Sequence, residues 1–172
     1  VETASGMRLP DAYLKAVGTA AHEVGALFVL DCVASGCLWV DMAECEVDIL
    51  ITAPQKGWSG PPCAALIALN TRALARLEET SSTSFAADLK KWLQIMQAFE
   101  NGGHAYHATM PTDALAALRD VMREAEDYGF ERLHAEQEEL GRRVRELLVA
   151  RGYPSVAAEG FKAPGVVVSY TT

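Results

Sequence analysis

The sequence predicts an α/β layer sandwich, and three observations carry that prediction. Three short continuous apolar runs, "ALFVLD", "VDILITAP" and "CAALIALN", have the length and composition of strands buried on both faces. Segments with apolar residues at helical spacing precede and follow them, so strands alternate first with helices and then with each other. Half of the 172 residues are apolar, enough to bury a core between such layers, and 22% charged is ordinary for a globular chain.

The elements follow in order. From Leu9 to Val24, apolar Leu14, Val17, Ala21 and Val24 recur at helical spacing. Pro10 stands at the start, where its missing N–H costs nothing, and Gly25 follows the end. "ALFVLD" reads as a strand ending in Asp31, "VDILITAP" as a second ending just before Lys56, and "CAALIALN" as a third. Helical patterns follow over Arg72–Glu79 and Phe85–Phe99, the latter closed by "ENGGH". A further helix runs from about Thr112 to Tyr128, with Leu115, Leu118, Met122 and Ala125 on one face. Gly129 interrupts it, and Leu133, Leu140, Val144 and Leu147 carry the pattern on to Arg151. The interrupted helix reads as a bridge from a sheet domain, residues 1–129, to a second unit over residues 130–172. The chain starts at Val1 without Met and closes on the apolar, strand-like run "GVVVSYTT", so both ends read as cut from a longer polypeptide.

Charge and composition exclude several classes. A formal net charge of −8 repels phosphate backbones, and no basic stripe offsets it, so nucleic acid is not an expected partner. The longest apolar run, Gly25 to Val40, is broken by Asp31 and falls short of a spanning helix, so no membrane is expected. No basic start followed by an apolar block opens the chain. Cys32, Cys37, Cys45 and Cys63 form no C-x-x-C pair and lie in or beside apolar segments, the pattern of a reduced, cytoplasmic protein. A zinc site built from them with His104 and His107 fits no common spacing, so no metal is expected.

In open α/β sheets, ligands settle outside the carboxyl ends of the strands. Asp31 and Lys56 both fall at such ends. Taken singly, Asp31 reads as a cap or loop residue and Lys56 as a surface charge; on successive strands they can face one ligand. A lysine that forms a Schiff base must lose its proton, which a largely dry, partly cationic site encourages. A carboxylate opposite a pyridine nitrogen keeps that nitrogen protonated, and the protonated ring withdraws electrons from a substrate carbanion. Those are the two demands that pyridoxal phosphate makes of a protein.

"VLDCVAS", then "DILITAPQKGWSGPP", then "YHATMPTDALAALRD" resembles the class V aminotransferases of fold type I, nearest the alanine–glyoxylate, serine–glyoxylate and serine–pyruvate group. The opening "VETASG" is similar to that group's Glu-Ser/Thr-x-x-Gly segment. The resemblance spans roughly Val1 to Tyr170. It implies the three-layer sandwich of the fold type I large domain and the start of a small C-terminal α/β domain. It also implies pyridoxal 5'-phosphate as cofactor, with Lys56 holding it as a Schiff base and then shuttling the substrate proton. Asp31 would pair with the pyridine nitrogen, and Val33 would pack on a ring face. Gln55 would donate to the cofactor phosphate, and Thr3 would hydrogen-bond within the pocket. Tyr106 and Thr109 would reach the phosphate of the neighbouring subunit, which implies a homodimer with shared active sites.

Implied substrates are a small amino acid, alanine or serine, and a 2-oxo acid, glyoxylate or pyruvate. Cysteine desulfurases and selenocysteine lyases resemble the same segment but place a histidine before the lysine, so Gln55 argues for transamination. His104 and His107 read as structural. The chain departs from the family at Cys63, which stands for Gly after the Pro-Pro turn, and at Cys37-Leu38-Trp39, which stands for Gly or Leu-Gly. The family's glycine- and serine-rich phosphate loop and ring-stacking aromatic would lie before Val1, and its carboxylate-binding arginine after Thr172. Alternatives are a catalytically incomplete fold type I fragment, a related lyase, desulfurase or 2-aminoethylphosphonate-type transaminase, or an α/β binding module whose Lys56 meets an anion without covalent chemistry.

Overall fold

A computed structural model describes residues 3–35 and 38–171. Glu2 of the opening motif and the Cys37 departure lie outside the described residues. Helix α1 (Asp11–Glu23) starts one residue after Pro10, whose extended backbone turns the chain into the helix. The Pro10 carbonyl accepts from Tyr13 N–H (3.0 Å) and Leu14 N–H (3.2 Å). At the other end Gly25 takes φ +73°, and the Ala26 N–H folds back to the Ala21 carbonyl at 2.9 Å.

Three strands follow: β1 (Val29–Asp31), β2 (Ile49–Thr52) and β3 (Leu66–Leu69). They lie in the order β1-β2-β3, with β1 and β2 parallel and β2 and β3 antiparallel. The register sets Asp31 opposite Ile51 and Thr52 opposite Leu66. Each strand is shorter than its apolar run.

Burial differs from the expectation of strands covered on both faces. Leu30 is buried, but Val29 is 49% exposed, Asp31 is exposed, and the four residues of β2 are only half-buried. The reason lies in which elements supply apolar side chains. Leu14 of α1, with Cys45 and Val47, packs on Leu30 and Cys32 to make the core. No described helix closes over Val29 on the opposite face.

Helix α2 (Thr71–Glu79) starts where the Asn70 side-chain oxygen accepts from the Ala73 N–H at 2.9 Å. Helix α3 (Leu89–Glu100) starts later than the periodicity predicts. Asp88 caps it by accepting from the Lys91 N–H, and the preceding residues are held in a turn on Ser84. Helices α4 (Thr112–Tyr128) and α5 (Phe130–Val149) are divided at Gly129, which takes φ +97°. Among the described residues the closing apolar run forms no strand: its Ser169 makes an isolated antiparallel bridge with Ser155, and ahead of the run Lys162 bridges Met7.

One polar group sits inside this frame. Asp48 is 0% exposed at the foot of β2, the end away from Lys56. Its Oδ2 accepts from the Phe28 N–H (2.7 Å) and from His22 Nε2 (2.9 Å). Its Oδ1 accepts from Asn70 Nδ2 at 3.0 Å, with Arg72 Nε at 3.8 Å. One carboxylate thus joins α1, β1's approach, β2 and α2.

Candidate active site

Asp31 closes β1, and Lys56 lies in the turn that follows β2. Because β1 and β2 are parallel, both residues leave the sheet at its carboxyl edge. The Lys56 turn closes on itself: the Ser59 N–H donates to the Lys56 carbonyl and the Gly60 N–H to the Pro54 carbonyl, each at 2.9 Å. Pro54 is fully buried and anchors the turn from below. The loop after Asp31 is tied to the same strand. The Cys32 N–H donates to the Ile51 carbonyl at 2.7 Å, and Thr52 Oγ1 donates to the Cys32 carbonyl at 3.4 Å.

The polar side chains at this edge have few partners among the described residues. Asp31 Oδ1 accepts from the Val33 N–H at 2.9 Å, which orients the carboxylate and holds Val33 beside it. Lys56 and Gln55 are exposed, and among the described residues no hydrogen bond or ion pair engages the Lys56 amine. Burial pushes the neighbouring Cys32 thiol up, so it stays protonated and does not compete as a nucleophile.

The other predicted residues lie on different segments. Thr3 belongs to a tight turn in which its N–H donates to the Met7 carbonyl (2.8 Å) and its hydroxyl meets Ser5 Oγ (2.6 Å). Tyr106 and Thr109, between α3 and α4, pair through their hydroxyls at 3.1 Å. Tyr106 is 77% exposed, and no hydrogen bond joins either residue to Asp31 or Lys56 among the described residues. His107 donates to the Phe85 carbonyl (2.9 Å) and lies against the Phe85 and Trp92 rings. Those contacts hold the loop after α3.

Sequence reading did not find an aromatic cluster beside Lys56. Trp58 meets Trp39 edge-to-face at 4.8 Å, and Phe130 of α5 meets Trp39 at 4.9 Å and Trp58 at 6.3 Å. It joins the loops behind Asp31 and Lys56 to the start of α5. No periodicity links three positions so far apart. The one available signal was a pair of tryptophans, Trp58 two residues past Lys56 and Trp39 eight past Asp31.

The family profile described as aminotransferase class-V matches residues 1–164. The chain belongs to the class V aminotransferase family. Class V aminotransferases are pyridoxal-phosphate enzymes of fold type I, and the α/β fold described above is theirs. The chain is similar to alanine–glyoxylate aminotransferase 1 of Saccharomyces cerevisiae, 29% identical over 133 residues, 72% of this chain and 34% of that protein. It superposes on the alanine–glyoxylate aminotransferase of Nostoc sp. with a TM-score of 0.84 at 22% identity, covering 97% of this chain and 43% of that one. With the ureidoglycine–glyoxylate aminotransferase of Bacillus subtilis the TM-score is 0.80 at 26% identity, covering 99% and 43%. The chain therefore spans less than half the length of each of these class V relatives. No helix of the described residues is long and apolar enough to cross a membrane.

Proposed function

We propose that the chain is the central part of a pyridoxal-phosphate-dependent aminotransferase that moves an amino group from alanine or serine to glyoxylate or pyruvate. The observation that carries this reading is the placement of Asp31 and Lys56 at the carboxyl edge of one parallel strand pair, in a class V chain. The donor set fits the cofactor: a primary amine that has no internal partner among the described residues, and a carboxylate whose Oδ1 accepts from the Val33 N–H.

In this reading Lys56 holds the cofactor through its amine, and Lys56 Nζ takes the proton from the substrate α-carbon. Asp31 pairs with the pyridine nitrogen and keeps it protonated. When bound, pyridoxal phosphate supplies the electron sink for the carbanion that α-proton loss creates. Val33 packs on a ring face, and Gln55 donates to the phosphate. Thr3 contributes a hydroxyl to the pocket. Tyr106 and Thr109, an exposed hydroxyl pair, serve the phosphate of a second copy in a homodimer.

The same reading divides the molecule into a cofactor-binding unit over residues 1–129 and a smaller unit from residue 130, supported by the break at Gly129. The free thiols of Cys32, Cys45 and Cys63 support a cytoplasmic setting.

The test is amino transfer by the full-length protein supplied with pyridoxal phosphate. Alanine and glyoxylate should yield pyruvate and glycine. Asp31→Asn should cut the rate by roughly two to three orders of magnitude, because a neutral amide cannot stabilise the protonated ring. Sulfide release from cysteine without amino transfer would refute the proposal, as would an Asp31→Asn variant of near-normal rate.

A further inference from the structure

We propose that Arg145 is a positioning residue: it clamps the turn that carries Thr3 against α5, and so ties the C-terminal segment to the cofactor pocket. The inference rests on the reading of Thr3 as a pocket residue. Its physical basis is a stripe of α5. Gln137, Gly141 and Arg145 follow one another at helical spacing and face the segment around Pro164. Gln137 Nε2 donates to the Pro164 carbonyl at 2.9 Å. A Cβ on Gly141 would lie 2.4 Å from that carbonyl oxygen and 2.6 Å from the Pro164 Cα, so only glycine lets the segment seat so closely.

Arg145 sits at the end of the stripe with 6% exposure. Its Nη2 donates to the carbonyls of Ala163, Val166 (2.9 Å) and Gly6 (3.4 Å). The first two belong to the segment on α5; the third belongs to the Thr3 turn. The Ala163 N–H also reaches the Gly6 carbonyl at 3.1 Å, and the Arg8 N–H reaches the Phe161 carbonyl at 2.7 Å. Gly6 itself takes φ +79°, and a Cβ there would meet the Val168 nitrogen at 3.0 Å. Within the turn, the Gly6 N–H donates to the Thr3 carbonyl (3.0 Å) and Thr3 Oγ1 donates to the Met7 carbonyl (3.3 Å).

A continuous path therefore runs from α5 through one guanidinium to the Gly6 carbonyl and on to the Thr3 hydroxyl. Packing alone would have been served by Leu or Met at position 145. Desolvating a guanidinium is costly, and what it supplies here is a set of donors that apolar side chains lack.

The experiment uses the full-length protein with Arg145→Met, Arg145→Lys, Thr3→Val and the Arg145→Met/Thr3→Val pair. Dissociation of pyridoxal phosphate is measured for each, together with amide hydrogen exchange at Gly6 and Arg8. Arg145→Met should weaken cofactor binding about tenfold and speed exchange at both amides. Arg145→Lys should recover part of each effect, since one cationic donor remains. In the Thr3→Val background the Arg145→Met loss should largely vanish, because the guanidinium acts through that hydroxyl. A residue that only glues segments together would lower stability without this non-additivity. The proposal is overturned if cofactor affinity and Gly6 and Arg8 exchange are unchanged, or if the two losses simply add. Should Arg145→Met fail to fold, Arg145→Lys carries the same comparison at reduced amplitude. Borohydride reduction of the wild type separates the two failures. Cofactor fixed on Lys56 with unmoved affinity in the variants sinks only the role of Arg145, whereas no cofactor on Lys56 sinks the functional reading and this proposal together.

Discussion

At the scale of single residues, the contrast is between Lys56 and Asp48. Both are charges at the ends of the same apolar run, yet one faces solvent at the carboxyl edge and the other is sealed at the foot of the strand. Burial alone would raise the Asp48 carboxyl, but the Phe28 N–H, His22 and Asn70 together outweigh it and hold the group below its ordinary value. A carboxyl depressed in the folded state contributes stability that is present above its unfolded value, about pH 4, and is lost as pH falls through the folded value. Asp48→Asn should therefore cost about 3–5 kcal/mol at neutral pH, because His22 and the Phe28 N–H lose an ionised partner. Urea unfolding at pH 7 and near pH 3 checks this: the gap between variant and wild type should shrink on acidification, and an equal gap at both values contradicts it. Lys56 was legible because strand ends follow from apolar runs. Asp48 was not, since its partners come from α1, the approach to β1 and the cap of α2, and only the fold brings these together.

At the scale of elements, periodicity located the five α-helices of the described residues, while their ends were decided by local hydrogen bonds. The shift of α3 from Phe85 to Leu89 follows from the Asp88 cap, a signal present in the sequence but masked by apolar residues upstream. The strands came out shorter and less covered than their apolar runs suggest, because one layer of side chains faces Leu30 and none seals Val29. Packing of α1 gives a test of which effect wins at a helix position. Gly18 lies in α1, where alanine would be the better helix former by about 1 kcal/mol. A Cβ there would meet the Glu46 Cβ at 2.7 Å and the Cys45 carbonyl at 2.9 Å, with backbone on one side and little room to shift. Overpacking of that kind costs about 1–3 kcal/mol, so Gly18→Ala should lower the urea midpoint despite its propensity. A raised midpoint would mean that α1 is looser against the residue 45–46 turn than described.

At the scale of the whole molecule, the two ends of the described chain meet. Residues 6–8 pair with residues 161–163 and dock on α5, a contact that crosses the proposed division at Gly129 and that no local pattern announces. Tyr106 and Thr109 pair with each other, and among the described residues neither bonds to Asp31 or Lys56. If they serve a partner's phosphate, Tyr106→Phe removes one hydrogen bond to a charged group, worth about 1.5–3 kcal/mol, or one to two decades of cofactor affinity. Mixing full-length Tyr106→Phe and Lys56→Ala subunits should then restore one tight site per mixed dimer; no restoration in proven mixed dimers would place the contact within one chain. The central claim is that Lys56 carries the cofactor, and borohydride reduction of the full-length protein with pyridoxal phosphate bound, followed by peptide mass analysis, addresses it most directly. The account predicts reduced cofactor mass on the peptide containing Lys56 and its loss in Lys56→Ala, whereas a label on Lys90 or Lys91, or none at all, would contradict it.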